Sequence, residues 1–344
     1  MNRPPEKFQR VDPEQLQSFA SACFQAAGLC SDHAVLISQL LTNSDRRGVR
    51  SHGNRAMPRY CRALQEGKVN AGAVPRVLKE TDSSILVSGD GGLGYAPMMQ
   101  ATEAAIEKAQ ARGVAVGATC HHGHYGSAGH YVRRAMEAGC TAFSVQGAHP
   151  GKFGEGGRNP GKQAAYWGNP PICFGLPADT EPPLILDAAT CILADYQRGP
   201  EFDALQSLIP AAFFKSMGYT GIATALGGCF VGQNNAEARC VTERWPSANA
   251  GGLVIVMNLG LFADTAEVLS GIDDLVEGVR REMDPLPGYD EATTPGTAEF
   301  RNEQTYSHEG VPVSAEDLQQ LEEAGDSLGV AVPWRKKTEG EHQR

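Results

Sequence analysis

Ser84-Ile85-Leu86-Val87-Ser88-Gly89-Asp90-Gly91-Gly92-Leu93-Gly94 is the stretch on which the fold turns. Residues 84–87 are short, aliphatic and closed by glycines, the pattern of a buried strand. Beyond the glycines, residues 97–112 read as a helix stopped by Gly113, and residues 114–118 as a second strand. Together they predict a βαβ unit. Gly89, Gly91 and Gly94 also satisfy G-x-G-x-x-G in the setting that a Rossmann dinucleotide site requires. The second strand, however, ends in Ala118-Thr119-Cys120-His121, with no acid to hold a ribose 2′-hydroxyl. A glycine-rich strand-to-helix turn is the simpler reading.

Around this unit the pattern stays α/β. Asp12, Pro13 and Gln15 mark a helix start, followed by Leu16, Phe19, Ala20 and Cys23 at helical spacing, with Gly28 as the stop. Asp32 is the expected cap of a second helix carrying Leu36, Ile37, Leu40 and Leu41, which runs into the polar string Ser44-Asp45-Arg46-Arg47-Gly48. A helix over 127–138 and strands over 141–145, 184–186 and 253–257 complete the core, and a last helix starts at Ser314 with Asp317 as its capping-box acid. The expected organisation is an N-terminal helical segment, 1–80, within the same compact unit as an α/β cofactor- and substrate-binding core, 81–260. C-terminal helices, 261–335, close the core, and 336–344 form a charged, frayed tail. Residues 151–170, glycine-rich and poor in aliphatics, read as a long functional loop.

With 30 Lys and Arg against 40 Asp and Glu, the net charge of −10 argues against non-specific nucleic-acid or anionic-membrane binding. No stretch has the roughly eighteen uninterrupted apolar residues of a membrane span, and the opening residues lack a signal-peptide core, so a cytoplasmic protein is expected. The nine cysteines are scattered, without C-x-x-C, which points to reduced thiols and not to a zinc ribbon or disulfide framework.

Two histidine clusters carry the chemistry. Arg50-Ser51-His52-Gly53-Asn54-Arg55 sets a hydroxyl, an imidazole and guanidiniums side by side: histidine can move the proton that accompanies hydride transfer at a carbinol, and arginine can clamp a carboxylate. A solvated basic turn would look the same. The second, from His121 to His130, opens a helix with small residues whose amides suit a phosphate or a carboxamide. A metal site is the competitor, yet no H-E-x-x-H or spaced carboxylate accompanies these imidazoles, and no metal is expected. Asp187, leaving the strand 184–186, is placed either to orient an imidazole or to cap the next turn.

In their order, these motifs resemble the malate/L-lactate dehydrogenase type 2 family. Asp45-Arg46-Arg47-Gly48-Val49-Arg50-Ser51-His52-Gly53 is similar to its D-x-R-G-x-x-S-H-G, and residues 123–131 to its N-H-F-G-A-A-G-Y-Y. Gly168-Asn169-Pro170-Pro171, Asp187-Ala188-Ala189-Thr190, Phe214-Lys215-Ser216-Met217-Gly218 and Thr294-Pro295-Gly296 resemble later motifs. The resemblance implies a family-specific, non-Rossmann α/β fold with a mixed sheet, a homodimer, NAD or NADP near the subunit interface, and hydride exchange with a small 2-hydroxy or 2-oxo acid or a cyclic imine carboxylate. By position it assigns His52 and His124 to acid/base work, and Ser51 and Asp187 to a charge relay. Tyr125, Gly126, Ser127, Ala128, Thr190, Lys215, Pro295 and Gly296 fall, with His124, in the cofactor neighbourhood.

Three departures stand out. Ala56 occupies the position of the family's substrate arginine, leaving Arg55 and Arg59 as the candidate carboxylate clamps. Between Thr190 and Lys215 the chain is shorter by about twenty residues, in a stretch that in the family covers the site and helps to exclude water. Ser216-Met217 replaces glycine and tyrosine after the lysine, and Ala148-His149 replaces polar residues at the pocket border. The alternatives to an active oxidoreductase are a catalytically degenerate homologue serving as a binding or structural dimer, and a metal-dependent hydrolase built on the second histidine cluster.

Overall fold

The computed structural model describes residues 3–148, 168–192 and 199–335. Two compact units emerge: Met1–Glu66 with Ala298–Arg344, and Gly67–Thr297. The expected boundaries near 80 and 260 differ from these, because both ends of the chain contribute to one unit.

The first unit begins with β1 (Phe8–Val11), α1 (Pro13–Ala26), α2 (Ser31–Arg46) and, after two short 3-10 turns, α3 (Met57–Gln65). As expected, Asp12 caps α1 by accepting from Gln15 N at 2.9 Å, and Leu16, Phe19, Ala20 and Cys23 are buried. Asp32 does not cap α2. The helix starts two residues earlier than such a cap would place it, with Cys30 at the cap and no side-chain cap bond, and Asp32 sits in the first turn, where its charge still favours the helix dipole.

In the second unit, β2 (Arg76–Thr81), β3 (Ser84–Ser88), α4 (Tyr95–Arg112), β4 (Val114–His122), α5 (Gly129–Glu137) and β5 (Cys140–Ala148) come first. They are followed by β6 (Pro171–Leu176), β7 (Leu184–Ala189), α6 (Pro200–Leu208), α7 (Pro210–Thr224), α8 (Ala236–Arg244), β8 (Ala250–Asn258) and α9 (Thr265–Glu282). The first unit then resumes through α10 (Thr297–Glu309), β9 (Val311–Ser314) and α11 (Ala315–Leu328). There β9 pairs antiparallel with β1. Ser314 caps α11 by accepting from Asp317 N at 3.1 Å, but the Asp317 carboxylate bonds Arg50 and does not close a capping box.

Seven strands form one sheet in the order β2-β3-β4-β8-β5-β6-β7. The β3–α4–β4 unit is present, and its strands are parallel. Every other pairing is antiparallel, since β8 inserts between β4 and β5. This is a mixed sheet and not a Rossmann sheet.

Alternation along β8 shows how the layers form. Val254 and Val256 pack with Met98, Ala105, Tyr125, Tyr131 and Val132 from the α4 and α5 side, whereas Leu253 and Ile255 pack with Val145 and Ala223 from the α7 side. Helices therefore cover both faces of the central strands.

The glycine loop 89–94 is filled by its own protein. Gly89 N and Gly91 N donate to Cys120 O and His121 O, Gly94 N to His124 O, and Gly123 N donates back to Gly92 O. A Cβ on Gly91 would lie 2.3 Å from the Trp245 ring, and one on Gly94 would lie 2.4 Å from His122 Nδ1. Close packing, not a pyrophosphate, requires these glycines.

Candidate active site

The first histidine turn belongs to the unit built from both chain ends. α2 stops where Gly48, with φ +75°, turns the chain and Val49 N donates to Ser44 O. The 3-10 turns Arg50–His52 and Asn54–Ala56 follow. Ser51 is exposed, His52 is half-buried, and Ser51 Oγ lies 3.0 Å from His52 Nδ1. Arg50 Nη2 pairs with Asp317 Oδ2 at 2.7 Å, and Arg55 Nε lies 3.4 Å from the other oxygen of that carboxylate. Arg59 is exposed on α3, its guanidinium 5.2 Å from the Tyr60 ring centre. Ala56 is buried, so this position faces the interior here while Arg55 and Arg59 face solvent.

In the second unit the chain leaves β4 through the second cluster, and most of its histidines are structural. His122 is fully buried, with Nε2 2.7 Å from Thr119 Oγ1 and Nδ1 2.7 Å from Gly123 O, and burial pushes it down to about 4. His121 is buried at φ +58°, 3.2 Å from Ser88 Oγ, and desolvation lowers its pKa too. His130 is also buried. His124 is the half-exposed member. Gly126 N donates to His124 Nδ1 at 3.2 Å, so that nitrogen is an acceptor and the neutral ring carries its proton on Nε2.

Tyr125 and Ala128 are wholly buried, and the Tyr125 hydroxyl lies 3.4 Å from Ser144 Oγ. Neither their side chains nor their backbone is open to a ligand in this conformation. Ser127 Oγ makes a short hydrogen bond to Asp187 Oδ2, and Gly129 N donates to the same oxygen at 3.1 Å. Asp187 thus reaches from β7 to cap α5. The amides expected to be open here are partly spent: Gly126 N on His124, Gly129 N on Asp187, and His130 N on Ser127 O. A carboxylate already at the helix start disfavours a phosphate there and leaves the carboxamide reading standing.

Thr190 is the hub of a buried polar knot. Its hydroxyl donates to Pro170 O at 2.8 Å and accepts from Thr220 Oγ1, while its carbonyl accepts from Ser216 Oγ at 2.7 Å. Ser216 Oγ also accepts from Ile192 N, so the serine that departs from the family pattern ties α7 to the strand exit, a role that the sequence did not signal. Lys215, one residue earlier, is exposed. Pro295 O accepts from Ile185 N at 2.9 Å, and Gly296, at φ +101°, lies against the start of β7.

Ser51, His52, Arg55 and Arg59 therefore share one unit, and His124, Asp187, Thr190, Lys215, Pro295 and Gly296 the other. Among the described residues no group of three or more His, Cys, Asp and Glu is arranged to hold a metal ion, and both ring nitrogens of His122 are engaged. The described residues therefore give the hydrolase alternative no support. His149, most of the loop expected over 151–170 and the tail 336–344 lie outside the described residues.

A malate/(S)-sulfolactate dehydrogenase of Methanothermus fervidus is 23% identical, covering 94% of this chain and 99% of its own length. Ureidoglycolate dehydrogenase (NAD(+)) of Escherichia coli O157:H7 is 24% identical, over 91% of this chain and 95% of the relative. Malate dehydrogenase from Pyrococcus horikoshii superposes with a TM-score of 0.80 at 23% identity, covering 96% and 98% of the two chains, and so shares the fold. The malate/L-lactate dehydrogenase family model matches residues 11–199, a span that holds both histidine turns and Asp187. By that match, which takes in more than half of its length, the chain belongs to the malate/L-lactate dehydrogenase family.

Proposed function

We propose that this chain is an NAD(P)-dependent oxidoreductase exchanging a hydride between nicotinamide and the carbinol, carbonyl or imine carbon of a small 2-hydroxy acid, 2-oxo acid or cyclic imine carboxylate. The family match over residues 11–199 carries the reading, because it contains the two turns whose imidazoles the chemistry needs. The relatives named above, a malate/(S)-sulfolactate dehydrogenase and an NAD(+)-dependent ureidoglycolate dehydrogenase, point to the same class.

The donor set of the second unit fits such a coenzyme. Lys215 offers an exposed cation to its phosphates, and His124 at the head of the turn 124–128 offers a half-exposed imidazole to the neutral carboxamide end. When bound, the nicotinamide supplies or takes the hydride. His124, held by Gly126 in the Nε2–H form, gives or accepts the proton at the substrate oxygen or nitrogen, with His52 the second acid/base candidate, its Nδ1 paired with Ser51. Arg55 pairs with the substrate carboxylate; the Asp317 carboxylate beside it makes Arg55 the weaker clamp in the absence of substrate and Arg59 its alternative.

A homodimer is the proposed assembly. Phe214, Tyr219 and Ile222 on α7, with Leu208 and Phe230 flanking it, are 57–76% exposed, large apolar side chains of the kind that a partner subunit covers. No helix among the described residues is long and apolar enough to cross a membrane, and together with the acidic net charge this supports a cytoplasmic location.

The test is titration of the purified protein with NADH and NADPH, each followed by fluorescence. Saturable binding in the micromolar range supports the reading and names the coenzyme; absence of binding to either leaves a coenzyme-free dimer. In an active enzyme, Arg55→Ala raises KM for the acid about tenfold, whereas an unchanged KM assigns the clamp to Arg59.

A further inference from the structure

Asp45, on the last turn of α2, is buried, yet its neighbours are not arranged as for an ordinary ion pair. A single oxygen, Oδ2, accepts from both Asn54 N and Asn54 Nδ2, each at 2.8 Å, and the same amide group reaches Thr42 Oγ1 at 3.0 Å. The other oxygen, Oδ1, lies where a side chain on Gly53 would begin: an ideal Cβ there would be 1.7 Å from it. Asn54 is itself 1% exposed. On the far side of the turn, Arg50 is tied to the buried Asp317 of α11. Ser51 and His52 are thus strung between two anchors, Arg50–Asp317 before them and Asn54–Asp45 after them, with a glycine obliged by the second anchor.

We propose that Asp45 and Asn54 are positioning residues that hold the Ser51–His52 pair in its working geometry. Neither has to touch substrate or coenzyme. A carboxylate taken out of water is costly unless its lone pairs are filled. Here the two N–H groups of Asn54 fill one oxygen and fix the backbone on the C-terminal side of His52. The turn would otherwise be a loose surface loop of 3-10 geometry, poorly suited to keep an imidazole within the fraction of an ångström that proton transfer requires.

The charged groups facing Asp45 are Arg50 and Arg55 from the turns and Asp317 from α11. Burial pushes Asp45 up to about 7, against the hydrogen bonds from Asn54 and with the Asp317 charge adding to the rise. That cost is what a purely structural site would avoid by using an apolar residue of the same size. Its presence beside a catalytic turn is consistent with a functional purpose.

The role rests on the oxidoreductase reading only where turnover is the readout, so the experiment has one arm that needs no activity. Asp45→Ala, Asp45→Asn and Asn54→Ala are compared with the parent protein by amide hydrogen exchange of the segment 49–56, thermal melting, coenzyme titration and steady-state kinetics. In Asp45→Ala and Asn54→Ala, exchange in that segment is expected to rise about tenfold while the rest of the protein stays protected. With it, kcat falls on the order of a hundredfold and coenzyme affinity is unchanged. Asp45→Asn, which keeps an acceptor oxygen for Asn54, restores both slow exchange and most of kcat. A folded Asp45→Ala or Asn54→Ala protein with parental exchange and parental kcat overturns the proposal. Should Asp45→Ala not fold, Asn54→Ala, which retains the backbone bond, decides it. Should the parent neither bind coenzyme nor turn over, the oxidoreductase reading fails, and the exchange arm alone still decides whether the anchor holds the turn.

Discussion

The loop 89–94 and the turn 123–129 leave the two parallel strands of the sheet, both are rich in glycine, and both lead into a helix. In the first, glycine amides are spent on the extension of β4, and the space above them belongs to Trp245, Ala73 and His122. In the second, Asp187 caps the helix and His124 remains half-exposed beside a defined tautomer donor. The loop that matches the phosphate-binding pattern is packed shut, and the one with no such pattern presents an ionisable group. A glycine motif reports that backbone must approach something closely, and the partner can as well be a tryptophan as a pyrophosphate.

Substitutions in the two segments should therefore separate stability from activity. The largest effect is expected from His124→Ala, which lowers kcat by about 10²–10⁴-fold with an unchanged melting temperature; near-parental turnover would remove His124 from the mechanism. Next comes His122, two residues before it in sequence but sealed under the loop. Its pKa is lower in the folded protein than in the unfolded chain, so the unfolded chain binds the extra proton. Stability is complete above the ordinary imidazole pKa of 6.5 and falls away as the pH drops toward about 4, by about 3 kcal/mol. Urea midpoints near neutrality and near pH 4 measure it, and His122→Gln should lose the difference. The smallest effect is that of Gly91→Ala, which meets Trp245 and a φ of +80° and costs about 1–3 kcal/mol. Coenzyme affinity should not change; a selective loss of coenzyme binding in that variant would mean that the loop binds phosphate after all, and the contrast would collapse.

Much of the architecture was legible because it is local. The β3–α4–β4 unit, the α1 cap at Asp12 and the helix stop at Gly113 follow from periodicity and capping chemistry within a few residues. The insertion of β8 between β4 and β5 was not legible, because nothing in a strand's own alternation names its neighbour. Distance in sequence hid Asp317 as well: the capping pattern at Ser314 is present, but Arg50, 267 residues away, takes the carboxylate. Motif order singled out both histidine turns as candidates, while the burial of His121, His122 and His130 depends on packing that a run of histidines does not reveal. The polar knot of Thr190, Ser216 and Thr220 was invisible for the same reason, since its members come together only when α7 docks on the strand exit.

The pairing of β1 with β9 has a consequence for how the protein is made. Arg10 Nη1 donates to Gly310 O across 300 positions of chain, so β1 has no sheet partner until β9 has been made. Closing so long a loop is cheap only when the intervening residues are already compact, because the entropy then lost is that of the short remaining gap. The span 67–297 is a compact unit in its own right and can supply that compaction during synthesis. The helices α1 to α3 would wait for it, which makes the arrival of β9 and α11 the step that ties down the turn carrying Ser51 and His52.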